Sequence, residues 1–363
     1  MRKLFTEKVR IHSLNIDNLK QYLQHFYNRR FEYNVWVIAN VSNTIQNEED
    51  FIEHTSFSEF FSKAEFASII SAITELYGYV RIFYSETELM TYVLNNKSSL
   101  NTEKIIIYNF ARDGICEGKK SLIPAFCNLF GLTYTGSNPF VISLLRNKKI
   151  YTSYLKAYNI PVPITMSYKK NRNFSSHIFQ EEYLIVKHIY ESASIGMTEQ
   201  NIIKNCEDHL LAPILDELCS NMKSDEILVQ DYINGRECEV FVIKMGDEYL
   251  AFPPIELSIH NSEIITTSIS DTFDYSFSPL ERNVTNPICN AIMNAAKKAA
   301  ELLGVDTYAR FDFRVNPRGD FYLIDIAGTP YITRHSSIAY LFINCLELKY
   351  TDIFLLLGAL TQK

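Results

Sequence analysis

Arg310, Asp312 and Asp325 stand on two alternating apolar runs near the C-terminus, residues 309–315 and 321–326. The turn between them, Asn316-Pro317-Arg318-Gly319-Asp320, has Pro to fix φ and Gly to supply a positive φ, so the spacing predicts a β-hairpin. The two-residue period of a strand puts Arg310 and Asp312 on one face, with Asp325 on the neighbouring strand. Two carboxylates and a guanidinium on one sheet surface suit a hard divalent cation and the phosphates it carries. A surface hairpin with solvated charges fits these residues alone equally well.

Lysines upstream bear on the choice. Lys187 ends the apolar run YLIVK, and the loop Glu191-Ser192-Ala193-Ser194-Ile195-Gly196-Met197 follows closely. An ammonium at a strand end, beside loop N–H groups, can clamp phosphate; the plainer reading is a solubilising strand-end lysine. Lys148 sits near the start of a helix expected over 147–158, which Ile160-Pro161-Val162-Pro163 breaks. The stretch NFARDGICEGKKSLIP, 109–124, opens from a strand end and is a candidate binding edge, although it lacks a G-x-G-x-x-G fingerprint.

The elements that must position these groups can be read in order. Strands are expected at 31–41, 80–84 and 104–109, separated by helices over 58–77 and 86–95, with a polar loop at 42–53. That alternation is what a doubly wound parallel sheet requires. Further on, strands are expected at 183–187, 226–232 and 238–244 and helices over 201–222 and 290–303; Asn234-Gly235 predicts a two-residue hairpin between the 226–232 and 238–244 strands. Residues 1–34 are polar, with helical periodicity over 18–27 and no assigned role.

The bulk numbers exclude several classes. A chain of 363 residues can bury a large core and divide into two or three domains. A net charge of −7 argues against a general binder of nucleic acid or anionic membrane. The seven cysteines are scattered with no C-x-x-C pair, which predicts free thiols in a reducing cytoplasm. The N-terminus lacks the apolar core of a secretory signal, and charges interrupt the apolar tail at 338–360, which predicts two short buried helices, not a membrane span.

Taken together, YTGSNP, Lys148 before IPVP, IVK…SASIGM, ILVQDYINGRE and ARFDFR…FYLIDIAGTPYITRHS occur in an order and spacing that resembles the ATP-grasp superfamily, and within it the D-alanine–D-alanine ligase-like enzymes. The resemblance covers roughly residues 105–345. It implies an α/β and α+β chain: an N-terminal doubly wound parallel-sheet domain, residues 35–140, then two α+β lobes, 141–225 and 226–363, holding ATP between them, with the metal site on the last. It implies an ATP-dependent carboxylate–amine ligase that joins amino acids or a small peptide through an acyl phosphate, releasing ADP and phosphate. Phosphorylation converts a poor electrophile into one with a good leaving group.

Carried over residue by residue, the resemblance places Lys148 and Lys187 on the nucleotide phosphates, with Ser194 and the N–H groups near Gly196 closing over them. Gln230, Asp231, Tyr232 and Ile233 fall where backbone meets adenine, and Glu237 where a carboxylate accepts from the ribose hydroxyls. Arg310, with Ser194, falls in the catalytic set that stabilises the transferring phosphoryl group; Asp312 and Asp325 fall on the Mg²⁺ ligands. Ser336 and Tyr331 border the substrate, and Glu65 aligns loosely with the glutamate that holds the first substrate's ammonium; a solvated helix face is its plainer reading. Small-molecule amino acids or peptides are the implied partners, without nucleic acid or membrane, and a homodimer and a cytoplasmic location are usual for such ligases.

The chain departs from the pattern at four places. Asp325 replaces a longer Glu, and Ala327 stands where the family has an Asn ligand for a second magnesium, which leaves one ion supported. Pro330-Tyr331 replaces Pro-Gly, and residues 274–279, with Arg282 nearby, stand where the family has a mobile Lys-Tyr pair. These changes keep two other readings open beside the ligase: a degenerate nucleotide binder with a regulatory or scaffold role, and a kinase on the same fold.

Overall fold

The computed structural model describes residues 16–42, 59–114, 116–192, 194–260, 262 and 264–362. Residues 1–15, most of the polar loop expected at 42–53, Ser58 and Ala193 therefore lie outside the described residues.

Helix α1 (Ile16–Arg29) precedes a first sheet built from β1 (Asn34–Ala39), β2 (Val80–Phe83), β3 (Ile105–Phe110) and β4 (Thr133–Tyr134), with α2 (Lys63–Tyr77), α3 (Glu86–Asn96) and α4 (Leu122–Phe130) between them. The strands are all parallel, in the order β2-β1-β3-β4, as the alternation of elements requires. Helix α2 starts later than expected. Phe61 instead bridges to Val41, and Ser62 then caps the helix in a capping box with Glu65.

Helices α5 (Pro139–Arg146) and α6 (Lys148–Ala157) lead into an antiparallel sheet of β5 (Thr165–Lys169), β6 (Tyr183–His188), β7 (Ile202–Lys204) and β8 (Glu226–Asp231), ordered β5-β8-β6-β7 and backed by α7 (Asp208–Asn221). The helix expected over 201–222 thus begins only at Asp208, because Ile202 and Ile203 pair with β6 as an edge strand.

The third sheet contains β9 (Arg236–Met245), β10 (Glu248–Ala251), β11 (Ile255–Ile259), β12 (Tyr275–Pro279), β13 (Tyr308–Val315) and β14 (Phe321–Ala327), in the order β12-β11-β9-β13-β14 with β10 on β9. Helices α8 (Thr267–Thr272) and α9 (Asn286–Leu302) lie between its strands, and α10 (Ser337–Tyr340) and α11 (Tyr350–Ala359) follow. The hairpin expected at Asn234-Gly235 does not form: β8 belongs to the second sheet and β9 to the third. The chain crosses between lobes there, after β8, so the lobe change falls later than the expected 225/226. Gly235 permits the crossing. It holds φ +154°, and a Cβ on it would lie 2.0 Å from the Val315 carbonyl oxygen at the end of β13.

The buried tail helix α11 closes the molecule. Phe354 and Leu357 share one core with Leu19 of α1, Tyr108 of β3 and Phe241 of β9. The Tyr108 hydroxyl donates to Phe354 O at 2.7 Å, and a Cβ on Gly358 would lie 2.5 Å from that hydroxyl. Among the described residues no helix is long and apolar enough to cross a membrane, and all seven cysteines are free thiols.

Two glycines test the crossing. Gly246→Ala, at φ +60° with open space around the added Cβ, is expected to lose only the left-handed penalty of about 1–2 kcal/mol. Gly235→Ala is expected to lose at least about 1 kcal/mol more, since backbone must move. Urea unfolding of both variants checks this, and equal losses would contradict it.

Candidate active site

The hairpin forms with the register that puts its acids together. Asp312 is the direct cross-strand partner of Asp325, with a register shift just after Asp312. Glu239 of β9 pairs with Asp312 from the other side. Three carboxylates therefore stand in a row across β9, β13 and β14. Arg310 donates Nε to Asp312 Oδ1 and Nη2 to Asp312 Oδ2, each at 2.8 Å, and Nη2 lies 3.2 Å from Glu239 Oε1. Among the described residues no hydrogen bond of good geometry reaches Glu239 Oε2.

Other elements bring cations to this row. Lys148, at the N-terminus of α6, is buried; its Nζ lies 3.4 Å from Asp325 Oδ1 and donates to Glu191 O at 2.7 Å. Lys187, near the end of β6, donates to Gln230 Oε1 at 3.3 Å and to Ile324 O at 3.5 Å. Tyr151 donates its hydroxyl to Asp325 Oδ1 at 2.8 Å.

The titration of these groups follows from the balance of burial and charge. Burial alone would raise Asp325, but Lys148, Lys187 and the Tyr151 hydroxyl outweigh it and hold the carboxyl below its ordinary value. Asp312 goes the other way. Burial, with Glu239 and Asp325 beside it, outweighs Arg310 and pushes it up to about 7. Burial likewise lowers Lys187 and raises Glu239. A buried carboxylate row with this raised member fits a divalent cation. Among the described residues no group of three His, Cys, Asp or Glu side chains is preassembled to hold one, so Asp312 and Asp325 would need oxygens from elsewhere, as Mg²⁺ commonly takes from phosphates and water.

The carboxylate row, Arg310, Lys148, Lys187 and Gln230 face one cavity of about 550 Å³ between the second and third sheets, with loops of the first domain at one end. Every residue singled out from the sequence lines it except Gly196. Gly196, at φ +71°, instead packs its loop on His188, whose Nε2 would be 3.2 Å from an added Cβ. Ser194 holds φ +54° at the cavity wall. At the crossing between lobes, Asp231 N and Tyr232 N donate to Ile164 O and Tyr183 O at 2.9 and 3.0 Å. Among the described residues the Ile233 N–H has no backbone acceptor. The Gln230 side chain bridges Lys187 and Thr165, and the Asp231 carboxylate accepts from Gln180 N, so these two side chains serve the scaffold. Glu237 lies 3.3 Å from Arg314 Nε through one oxygen.

At the substrate end two of the singled-out side chains line the cavity and also cap helices. The Glu65 carboxylate accepts from Ser62 N and Ser62 Oγ at 2.9 and 2.8 Å, so it caps α2. Ser336 accepts from Ala339 N at 3.1 Å and donates to Thr333 O at 2.7 Å, so its hydroxyl caps α10. Tyr331 reaches the first domain. Its hydroxyl donates to Glu59 O at 2.6 Å, and its ring lies 5.6 Å from Phe61 and 3.9 Å from the Arg112 guanidinium.

Sequence reasoning missed two groups. Ile185, Met197, Tyr232 and Ile264 form a small apolar cluster on the cavity wall beside the lobe crossing, and only Tyr232 had been singled out. Glu59, fully buried, is met by Lys119, Lys120 and Arg146. The stretch 109–124 carries two of those cations and was legible as a binding edge, but Glu59 was hidden in what read as a helix face.

A nucleotide-sized cavity between a lysine-bearing antiparallel sheet and a carboxylate-bearing one is the site of an ATP-grasp enzyme, here an ATP-dependent carboxylate–amine ligase. The chain belongs to the D-alanine–D-alanine ligase family: the family described as "D-ala D-ala ligase C-terminus" matches residues 160–354. D-alanine–D-alanine ligase of Marinomonas sp. (strain MWYL1) is 26% identical over 229 residues, 61% of this chain and 67% of that protein. The Francisella philomiragia ligase is 21% identical over 278 residues, 74% of this chain and 83% of that one. In fold the chain is similar to D-alanine–D-alanine ligase from Bacillus anthracis complexed with ATP, with a TM-score of 0.62 at 14% identity, covering 90% of this chain and 96% of that one. It is also similar to D-alanyl-alanine synthetase A from Vibrio cholerae, with a TM-score of 0.63 at 16% identity, covering 92% and 99%. ATP and Mg²⁺ accompany the family.

The raised Asp312 makes a pH prediction. The folded chain retains a proton there that the unfolded chain releases near its ordinary value of 3.8. Stability contributed by the protonated acid is therefore lost as pH rises from about 4 to about 7. Asp312→Asn removes that titration. In denaturant unfolding without divalent cation, wild type is expected to lose ground to the variant between about pH 5 and 7, by up to about 1.4 kcal/mol per pH unit. A constant difference at both pH values would mean that Asp312 ionises normally.

Proposed function

We propose that this ligase activates the carboxylate of a small acid or amino acid and joins it to the amine of a second amino acid or small peptide, the type of reaction for which its D-alanine–D-alanine ligase relatives are named. The convergence of Lys148, Lys187, Glu237, Arg310, Asp312 and Asp325 on one cavity carries the reading. A chain released from catalysis would have no physical reason to keep this buried charge set.

In this reading adenine lies against Ile185, Met197, Tyr232 and Ile264 and meets the Ile233 N–H. Glu237 accepts from the ribose hydroxyls. Lys148 and Lys187 hold the phosphates, with Ser194 and the Gly196 loop above them. A single Mg²⁺, held by Asp312 and Asp325, would neutralise phosphate charge when bound. Ala327 offers no donor for a second ion. The substrate carboxylate oxygen attacks the γ-phosphorus, and ADP leaves. Arg310 swings between its Asp312 partner and the equatorial phosphoryl oxygens, where charge accumulates. The amine then attacks the acyl carbon, phosphate leaves with the oxygen it acquired, and the amine loses a proton to solvent. Tyr331 limits the depth of the acyl pocket, and Ser336 fixes the loop that borders the acceptor.

Incubation with ATP, Mg²⁺ and amino-acid or carboxylate pools, with hydroxylamine as trap, is expected to release ADP and phosphate and to yield a hydroxamate. Tight ATP binding without ADP from any pool would favour a nucleotide binder without catalysis, and a stable phosphorylated product a kinase. Lys187→Met and Asp312→Asn are expected to lower turnover by about 10²-fold or more with the far-UV circular dichroism unchanged. Titration with Mn²⁺ beside a non-hydrolysable ATP analogue, read by electron paramagnetic resonance, is expected to give one tight ion per chain; two tight ions would contradict the role given to Ala327.

A further inference from the structure

The end of the cavity that faces the first domain holds a buried excess of cations. Arg112, Lys119, Lys120 and Arg146 are each no more than 6% exposed. Only two carboxylates answer them among the described residues, Glu59 and Glu191. Lys119 Nζ lies 3.1 Å from both Glu59 Oε1 and Glu191 Oε2. Lys120 pairs with Glu59 Oε2. Arg146 reaches Glu59 at 3.7 Å and Glu191 at 3.5 Å. Arg112 pairs with no carboxylate among the described residues; it lies between the rings of Tyr331 and Phe61, at 3.9 and 4.6 Å. Among the described residues its Nε and the Nε of Arg146 have no hydrogen-bond partner. Arg112, Lys120 and Arg146 all line the cavity.

This arrangement is held in place. Arg112 N donates to Asn40 Oδ1, and Asn40 in turn donates to Glu86. Gly114, at φ +114°, lets the loop fold onto Lys119. Lys120 is kept at φ +69°, a conformation that non-glycine residues adopt only when the surroundings impose it. Glu59 is already surrounded by cations: Lys119, Lys120 and Arg146 meet it, and the Ser192 hydroxyl donates to its Oε1 at 2.9 Å. Burial, together with Arg146, Arg112 and Lys119, pushes the Lys120 ammonium well below its ordinary value against the pull of Glu59. Like charges buried together with open donors are relieved by an anion.

We infer that the acid activated at this end is a dicarboxylate, whose second carboxylate sits among Arg112, Lys120 and Arg146. This rests on the ligase reading for its chemistry, though not for the anion subsite itself. The subsite thus selects an acidic donor over one recognised by its ammonium.

Isothermal titration of the full chain, without nucleotide, tests the inference with succinate, glutarate, aspartate and glutamate of both hands, D-alanine, acetate and inorganic phosphate. At least one dicarboxylate is expected to bind about tenfold or more tighter than D-alanine, acetate or phosphate. Arg112→Met is expected to weaken that ligand by about tenfold or more and to leave affinity for an ATP analogue unchanged. Arg112→Lys, which keeps the charge, is expected to restore part of the loss and covers the case in which the methionine variant does not fold. D-alanine binding as well as every dicarboxylate overturns the inference. So does equal binding of inorganic phosphate, which would make this a phosphate subsite. In the ADP-release assay the preferred dicarboxylate is expected to be the best donor. Dicarboxylate binding without ADP release from any donor would leave the subsite standing and remove the ligase reading; efficient use of D-alanine with weak dicarboxylate binding would do the reverse.

Discussion

The carboxylate row across β9, β13 and β14 is the constraint that the rest of the chain serves. Glu239, Asp312 and Asp325 are nearest cross-strand neighbours. Like charges placed so are destabilising on a sheet surface and more so when buried. Arg310 meets Glu239 and Asp312 from within the same sheet. Asp325 has to be met from outside it, by Lys148 of α6 and by the field of Lys187 of β6. The second sheet must therefore come over the third, and the space left between them is the cavity. In this sense the nucleotide cleft is a consequence of where one strand pair buries its acids.

The parts of this arrangement that depend on local order were legible in the chain. Pro317 and Gly319 announce the hairpin, and the strand period puts Arg310 beside Asp312. Lys148 and Lys187 were legible as strand- or helix-end cations, although only their order relative to the later motifs gave them a role. What was not legible depends on tertiary competition. Asn234-Gly235 has the chemistry of a hairpin turn, yet Gly235 is there because β13 leaves no room for a side chain. Ile202 and Ile203 continue a helical pattern, yet an open edge on β6 claims them. Glu65 and Ser336 were singled out only through the family resemblance, while their side chains complete helix caps already legible in Ser62-x-x-Glu65 and Ser336-x-x-Ala339.

The first domain is joined to the lobes mainly by packing. Its link to the rest of the chain is an apolar core shared with α11, in which shape and volume matter more than residue identity. Tyr77, Tyr108 and the backbone of Phe354 form one chain of hydroxyl hydrogen bonds across that core. Tyr331 adds a second tie by bonding to Glu59 O from the loop that follows β14. The residue that most departs from the family's pattern at the substrate end is thus also a fastener between domains. Its ring supplies the face on which Arg112 rests.

The two ends of the cavity differ in how they are balanced. Around the hairpin, Glu237, Glu239, Asp312 and Asp325 stand against Arg310, Arg314, Lys148 and Lys187, so the acids are matched one for one. Such an end accepts a polyphosphate only together with its own cation, because an unaccompanied anion would meet the acids and an unaccompanied cation the bases. At the first-domain end four cations face two acids, so an anion can enter alone. Glu191 joins the two: its carbonyl accepts from Lys148 and its carboxylate meets Lys119 and Arg146. In the proposed arrangement Lys148 turns toward the nucleotide phosphates, so the loop that carries Glu191 and Ser192 would respond to nucleotide at one side and to the acid donor at the other. Coupling of this kind needs no long pathway, since one loop residue touches both sets of charges.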